Sequence, residues 1–145
     1  MALSPKVVVS MVMGSLSMLV AQEATQPRAV ANLACIEDMA VPGYESVPWT
    51  THVSGTAEVV ILIGANGAPV SVDVRSKSSY LVTWLKTSLS KAMFSERCSG
   101  QKLRLSFLYE LRGNPDSSPH TRVTLKSGNS FEIIANPPIP LSTQP

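Results

Sequence analysis

Few side chains in this 145-residue chain could do covalent, acid–base or metal chemistry: Cys35 and Cys98, His52 and His120, and scattered carboxylates. A cysteine nucleophile needs a base beside it, and a zinc site needs Cys or His ligands at short, regular spacing. Neither cysteine stands in such a spacing, and both histidines fall in irregular stretches. No Gly-x-Ser-x-Gly, His-Glu-x-x-His or phosphate-loop motif occurs. Glu58, Asp73, Glu96 and Arg97 read as charges on solvated faces. The expectation is a protein that is not an enzyme and holds no cofactor and no metal. A thiol nucleophile at Cys98, assisted by a histidine, is the reading set aside, because Cys98 has a ready partner in Cys35.

Charge adds little. Twelve basic residues against ten acidic ones leave a net charge of +2, too even for a nucleic-acid binder. With 44% hydrophobic residues the chain has room for one domain around one core.

The first 21 residues have the layout of a secretory signal, with Lys6 ahead of the apolar run from Val7 to Ala21. The run is short and serine-dotted for a membrane span, which needs ~20 apolar residues. Cleavage after Ala21 or Ala24 would leave a periplasmic or secreted protein. Retention would anchor it in the inner membrane, the only membrane contact expected. Leu33-Ala34-Cys35 ends like a lipoprotein box, but Asn32 stands where an aliphatic residue is wanted, so lipidation is not expected. Two cysteines can form one bridge or none, and export to an oxidising compartment makes a Cys35–Cys98 disulfide the expectation.

Residues 22–54 form a lead-in interrupted by Pro27, Pro42 and Pro48, with a short helix at best in residues 29–40. Its aromatics, Tyr44 and Trp49, are expected to be pinned against the core.

The organised part spans residues 55–111. Ala57, Val59, Ile61 and Ile63 alternate along one strand, Asn66-Gly67 supplies a tight turn, and Val70, Val72 and Val74 alternate along the next strand. Ser78 or Ser79 caps a helix on which Leu81, Leu85, Leu89 and Ala92 or Met93 make one apolar stripe. Leu103, Leu105, Phe107, Tyr109 and Leu111 then alternate along a third strand. Burying these faces together predicts an α+β, two-layer sandwich: a β-β-α-β core with an antiparallel sheet and one main helix. Thr121–Leu125 and Ser130–Ile134, around Ser127-Gly128-Asn129, read as an appended hairpin within residues 112–136. The Pro-rich tail, residues 137–145, is expected to be extended and mobile.

The run GTAEVVILIGANGAPVSVDVRSKSSYLVTWLKTSLSKAMFSERCSGQKLRLSFLYEL resembles the C-terminal domain of TonB energy transducers, with Gly55, Gly67, Val70, Leu81, Phe94, Phe107 and Leu111 at matching places. The chain departs from that pattern at Ala92 and Glu96, where the family has Trp and Pro. Its apolar N-terminal run also holds no histidine to couple to a motor. The resemblance implies a stand-alone periplasmic binding or adaptor module linked to transmembrane transport. Its partner would be an outer-membrane transporter, or another protein with an extended segment, joined by strand addition. The implied binding edge is the last strand, Gln101, Lys102, Leu103, Arg104, Leu105, Ser106, Phe107, Leu108 and Tyr109. If the appended hairpin pairs with that strand, the edge is occupied. The alternative is a structural or assembly module that self-associates through its edge strands, for instance as a homodimer.

Overall fold

The computed structural model describes residues 29–126 and 128–141; the signal-like segment, residues 1–21, and the end of the tail lie outside the described residues. Among the described residues seven strands and one α-helix follow in chain order: β1 (Ile36–Asp38), β2 (Gly55–Ile63), β3 (Pro69–Ser76), α1 (Ser79–Leu89), β4 (Met93–Phe94), β5 (Lys102–Leu111), β6 (Arg122–Leu125) and β7 (Ser130–Ala135). The main sheet has the order β3-β2-β5-β7-β6, and β1 pairs with β4 in a separate two-stranded sheet. The fold is α+β, as the alternation predicts.

The β-β-α-β core arises from local rules. β2 and β3 pair antiparallel through a turn in which the Gly64 N–H donates to the Ala68 carbonyl at 2.8 Å and Asn66 Oδ1 accepts from the Ala68 N–H at 3.2 Å. Gly67 takes φ +82°, and a Cβ there would stand 2.1 Å from the carbonyl oxygen of Phe94. Only glycine lets this turn press against β4, where the Phe94 N–H donates to the Gly67 carbonyl at 2.9 Å. The Ser78 hydroxyl caps α1 by accepting from the Leu81 N–H. Leu81, Leu85 and Leu89 are fully buried on the inner face of the sheet with Ala57, Val59, Ile61, Ile63, Leu103, Leu105, Phe107 and Tyr109. Complete burial of one such leucine is worth about 2 kcal/mol.

Three details differ from the periodicity. Helix α1 stops at Leu89 and the chain becomes extended, so Ala92 and Phe94 are buried while Met93 is exposed. Val70 is exposed because it is the extra residue between the pairs Leu62↔Ser71 and Ile63↔Pro69, a β-bulge at the start of β3. In the lead-in, residues 29–40 form a 3₁₀ turn at Leu33–Cys35 and then β1.

The expected hairpin forms with Val123 opposite Ile133 and Leu125 opposite Phe131, and β7 joins β5 in parallel, Phe107 opposite Phe131 and Tyr109 opposite Ile133. The core sheet is antiparallel, but the appended hairpin makes the full five-stranded sheet mixed. A parallel neighbour requires a crossover. Here the loop 112–121 passes the place of β7 at one end of the sheet and β6 then brings the chain back to the other end, so the two together form the crossover. Gly113 at φ +106° and His120 at φ +46° turn this loop, and the Asp116 carboxylate accepts from the Ser117 and Ser118 N–H groups. The tail is stitched to it: the Asp116 N–H donates to the Pro137 carbonyl at 2.9 Å, and the Ile139 N–H to the Asp116 carbonyl. Residues 137–139 are thus hydrogen-bonded to the loop.

The lead-in covers the end of the core that α1 does not reach. Tyr44 stacks edge-on against Tyr109, its hydroxyl donating to the Val53 carbonyl at 2.7 Å, and the Tyr109 hydroxyl donates to the Pro42 carbonyl at 2.6 Å. The Trp49 indole N–H donates to the Asn136 carbonyl at 2.7 Å. Burial raises the pKa of both tyrosines above the usual phenol value, with the Glu110 charge adding to it at Tyr44 and Tyr44 itself adding to it at Tyr109.

Candidate functional site: the edges of the sheet

A binding site of the strand-addition type is a row of unpaired backbone groups, so the question is which strand edges lack partners. Ile63 N–H donates to the Gln101 carbonyl, which puts Ile63 and its alternate neighbours along β2 in hydrogen-bonded pairs with β5. Val60 and Glu58 then turn their backbone groups to β3. Along β5, the groups of Leu103, Leu105, Phe107 and Tyr109 meet β2, and those of Lys102, Arg104, Ser106, Leu108 and Glu110 point the other way.

That second row is occupied. The Lys102 carbonyl accepts from the Ala31 N–H at 3.0 Å, beside a parallel bridge between Val30 and Lys102. The Arg104 carbonyl accepts from the Asn129 side-chain amide at 2.9 Å, and the Ser106 N–H donates to the Asn129 carbonyl. From Ser106 to Leu111 the partner is β7. The expectation of an open edge at Gln101, Lys102, Leu103, Arg104, Leu105, Ser106, Phe107, Leu108 and Tyr109 is thereby corrected. β5 is the central strand of the five, because the apolar face of the hairpin reaches the core only by lying beside it.

The free edges are β3 and β6, the two outer strands. On β3 the pairs Val60↔Asp73 and Glu58↔Arg75 carry the ladder to β2, so Val72 and Val74 aim their N–H and C=O groups away from the sheet. Among the described residues no strand pairs with that side. Helix α1 begins just after the C-terminal end of β3, packs against it, and ends where Lys86 and Ser90 face Pro69, Val70 and Val72. The helix thus runs antiparallel alongside the free edge, and its C-terminal half walls an open groove of about 340 Å³.

β6 is shorter, four residues, all exposed. Val123 and Leu125 stand on the same face as the buried Ile133 yet are about half exposed, at 47% and 50%, since neither α1 nor the lead-in extends over them.

Cys35 and Cys98 form a disulfide, with an S–S distance of 2.03 Å. Both cysteines are buried and no free thiol remains. The two histidines lie on separate loops, His120 beside Asp116 at 3.3 Å and His52 in a turn after Trp49. Among the described residues no cluster of His, Cys, Asp and Glu could hold a metal ion, and no helix is long and apolar enough to cross a membrane. Glu58 and Asp73 are on the outer, polar face of the sheet, where Glu58 accepts from the Ser106 hydroxyl at 2.9 Å and Asp73 meets Arg75 at 3.7 Å. The β3 edge is a site that periodicity could not single out, because two adjacent alternating strands look alike until their other neighbours are known. Compared with known proteins, the chain matches no family model, no curated relative and no solved structure.

Proposed function

We propose that this chain is a non-enzymatic protein-binding module that takes an extended segment of a partner as an additional strand on the outer edge of β3. The observation that carries this reading is the unpaired edge at Val72 and Val74, with a groove walled by α1 beside its first half, at Pro69, Val70, Ser71 and Val72. Main-chain hydrogen bonds supply affinity in such complexes, and alternate side chains reaching a neighbouring wall supply selectivity. Edge strands that must not pair usually carry an inward-pointing charge or a mid-strand proline. On β3 the proline, Pro69, and the bulge at Val70 are confined to the start of the strand, and the residues that follow on its inner face, Val72 and Val74, are uncharged. Strand addition is also the mode implied by the resemblance to TonB C-terminal domains, here moved from β5 to the opposite side of the sheet. The same resemblance makes an extended segment of an outer-membrane transporter the first partner class to test, and the buried disulfide supports an exported, oxidising location.

Selection of random dodecapeptides on phage against the oxidised protein, followed by amide shift mapping, tests the reading. Enriched peptides are expected to move the Val72 and Val74 amides and to lose binding to Val74→Pro, which deletes an outward donor without touching the β2 ladder. Peptides that map to another surface, or bind Val74→Pro unchanged, overturn it. A second reading, self-association through β6, is favoured by the uncovered Val123 and Leu125. It predicts a dimer in sedimentation that Leu125→Lys abolishes, and a monomer at high concentration refutes it.

A further inference from the structure

Resting on strand addition at β3, we infer that the occupant of the groove is an acidic extended peptide, with carboxylates placed to meet Lys86 and Lys77. These two lysines mark the ends of the edge. Lys86 stands in the groove wall opposite Val70 and Val72, and Lys77 follows the last residue of β3, in a separate hollow bordered by Arg75, Ser76 and Ser78 and by Gly55 and Thr56 at the start of β2. Both are exposed, and neither is in an ion pair among the described residues. The groove at Lys86 is lined by no acid, and at the other end Asp73 is engaged with Arg75 at 3.7 Å. Helix α1 contains no Asp or Glu, and the one acid of β3, Asp73, is on the opposite face of the sheet beside Arg75. Lys91, just beyond the helix, adds a third exposed positive charge at the same end as Lys86.

The chain's overall charge is nearly balanced, so this one-sided rim is a local property. An added strand would bring its own side chains over α1 at every second residue. Apolar ones would meet Val72 and Val74, and those at the two ends would meet the ammonium groups. A basic segment would be repelled at both ends, and a neutral one would gain only the main-chain bonds.

The test uses the oxidised protein and three fluorescein-labelled nonapeptides of one alternating Thr/Val scaffold, which differ only in carrying two Glu, two Ser or two Lys at their outer positions. By fluorescence polarisation at low salt, the Glu peptide is expected to bind roughly fivefold tighter than the Ser peptide, and the Lys peptide weakest, from two exposed charge contacts. The spread shrinks at high salt. Lys77→Glu/Lys86→Glu, a surface change that leaves the core untouched, is expected to invert the order. Glu and Ser peptides that bind within twofold, or an order that survives the charge reversal, overturn the acidic preference. If the three bind alike and all lose affinity for Val74→Pro, strand addition stands and only the charge inference fails. If they bind Val74→Pro as well as the parent, or if none binds, both readings fall.

Discussion

Reduction of the Cys35–Cys98 disulfide is the perturbation whose size can be worked out most directly. The bond joins residues 63 positions apart, and the loop so closed contains β1, β2, β3, α1 and β4. In the chain-entropy model, tying such a loop removes about 14 cal/mol/K from the unfolded chain, or about 4.3 kcal/mol at 25 °C. A small domain has a total stability of about 5–15 kcal/mol, so this one bond can be a large part of it. Reduction is a cleaner perturbation than replacement, since Cys35 and Cys98 are buried and a serine pair would add two desolvated hydroxyls. The assay is urea unfolding with and without a phosphine reductant, read through Trp49 and Trp84. With a slope of about 1.5–2 kcal/mol per molar urea, the midpoint is expected to fall by about 2–3 M. The slope itself should change little if the native contacts survive. A drop of less than about 0.5 M would refute the reasoning. It would mean that the packing of Tyr44, Val47 and Trp49 holds the lead-in without covalent help, or that the reduced unfolded chain is already compact.

Three further outcomes follow from the same geometry. Asp73→Pro removes a donor that faces β2 and is expected to cost about 2–4 kcal/mol, whereas Val74→Pro removes an outward one and is expected to cost about 1 kcal/mol; equal losses in urea unfolding would mean the edge has been assigned to the wrong side. Gly67→Ala must fit a methyl 2.1 Å from the Phe94 carbonyl oxygen at φ +82°, and is expected to lose about 3 kcal/mol, a fall of more than about 10 °C in Tm by calorimetry. Tyr44 and Tyr109 have folded pKa values raised above the unfolded phenol value, so their contribution is intact below about pH 10 and is lost as pH rises, at about 1.4 kcal/mol per pH unit for each. Stability measured from pH 9 to 11 should therefore fall steeply, Tyr109→Phe should roughly halve the slope, and a flat profile would contradict the burial argument.

The parts of the fold that could be read from sequence are those set by neighbours in the chain. Alternation from Ala57 to Ile63 and from Leu103 to Tyr109, the Asn66-Gly67 turn and the Leu81/Leu85/Leu89 stripe each encode their own element, and the structure builds each where it is written. The hairpin of residues 122–135 was legible for the same reason, and its internal register follows the Val123, Leu125, Phe131, Ile133 face. What periodicity could not supply was which strand lies beside which. Phe107 stacks on Phe131 with ring centroids 5.3 Å apart, a contact between residues that no local pattern links, and this contact helps fix β7 beside β5. The candidate site depends on that same choice of neighbour, so it moved to β3. The disulfide was legible because a chain with two cysteines has only one intramolecular pairing to offer.

The connection that sets β7 parallel to β5 also leads to an expected order of folding events. A chain made from its N-terminus can close the β2–β3 turn, form α1 and dock β5 before residues 122–135 are available. Until the hairpin arrives, most of the outer side of a ten-residue, half-apolar strand is bare, with only Ala31 to meet it at Lys102. Parallel pairing of β5 with β7, across the loop and β6 between them, is slow compared with closing a tight turn. The species that waits in that interval is the one expected to aggregate. Truncation before Arg122 would make it permanent.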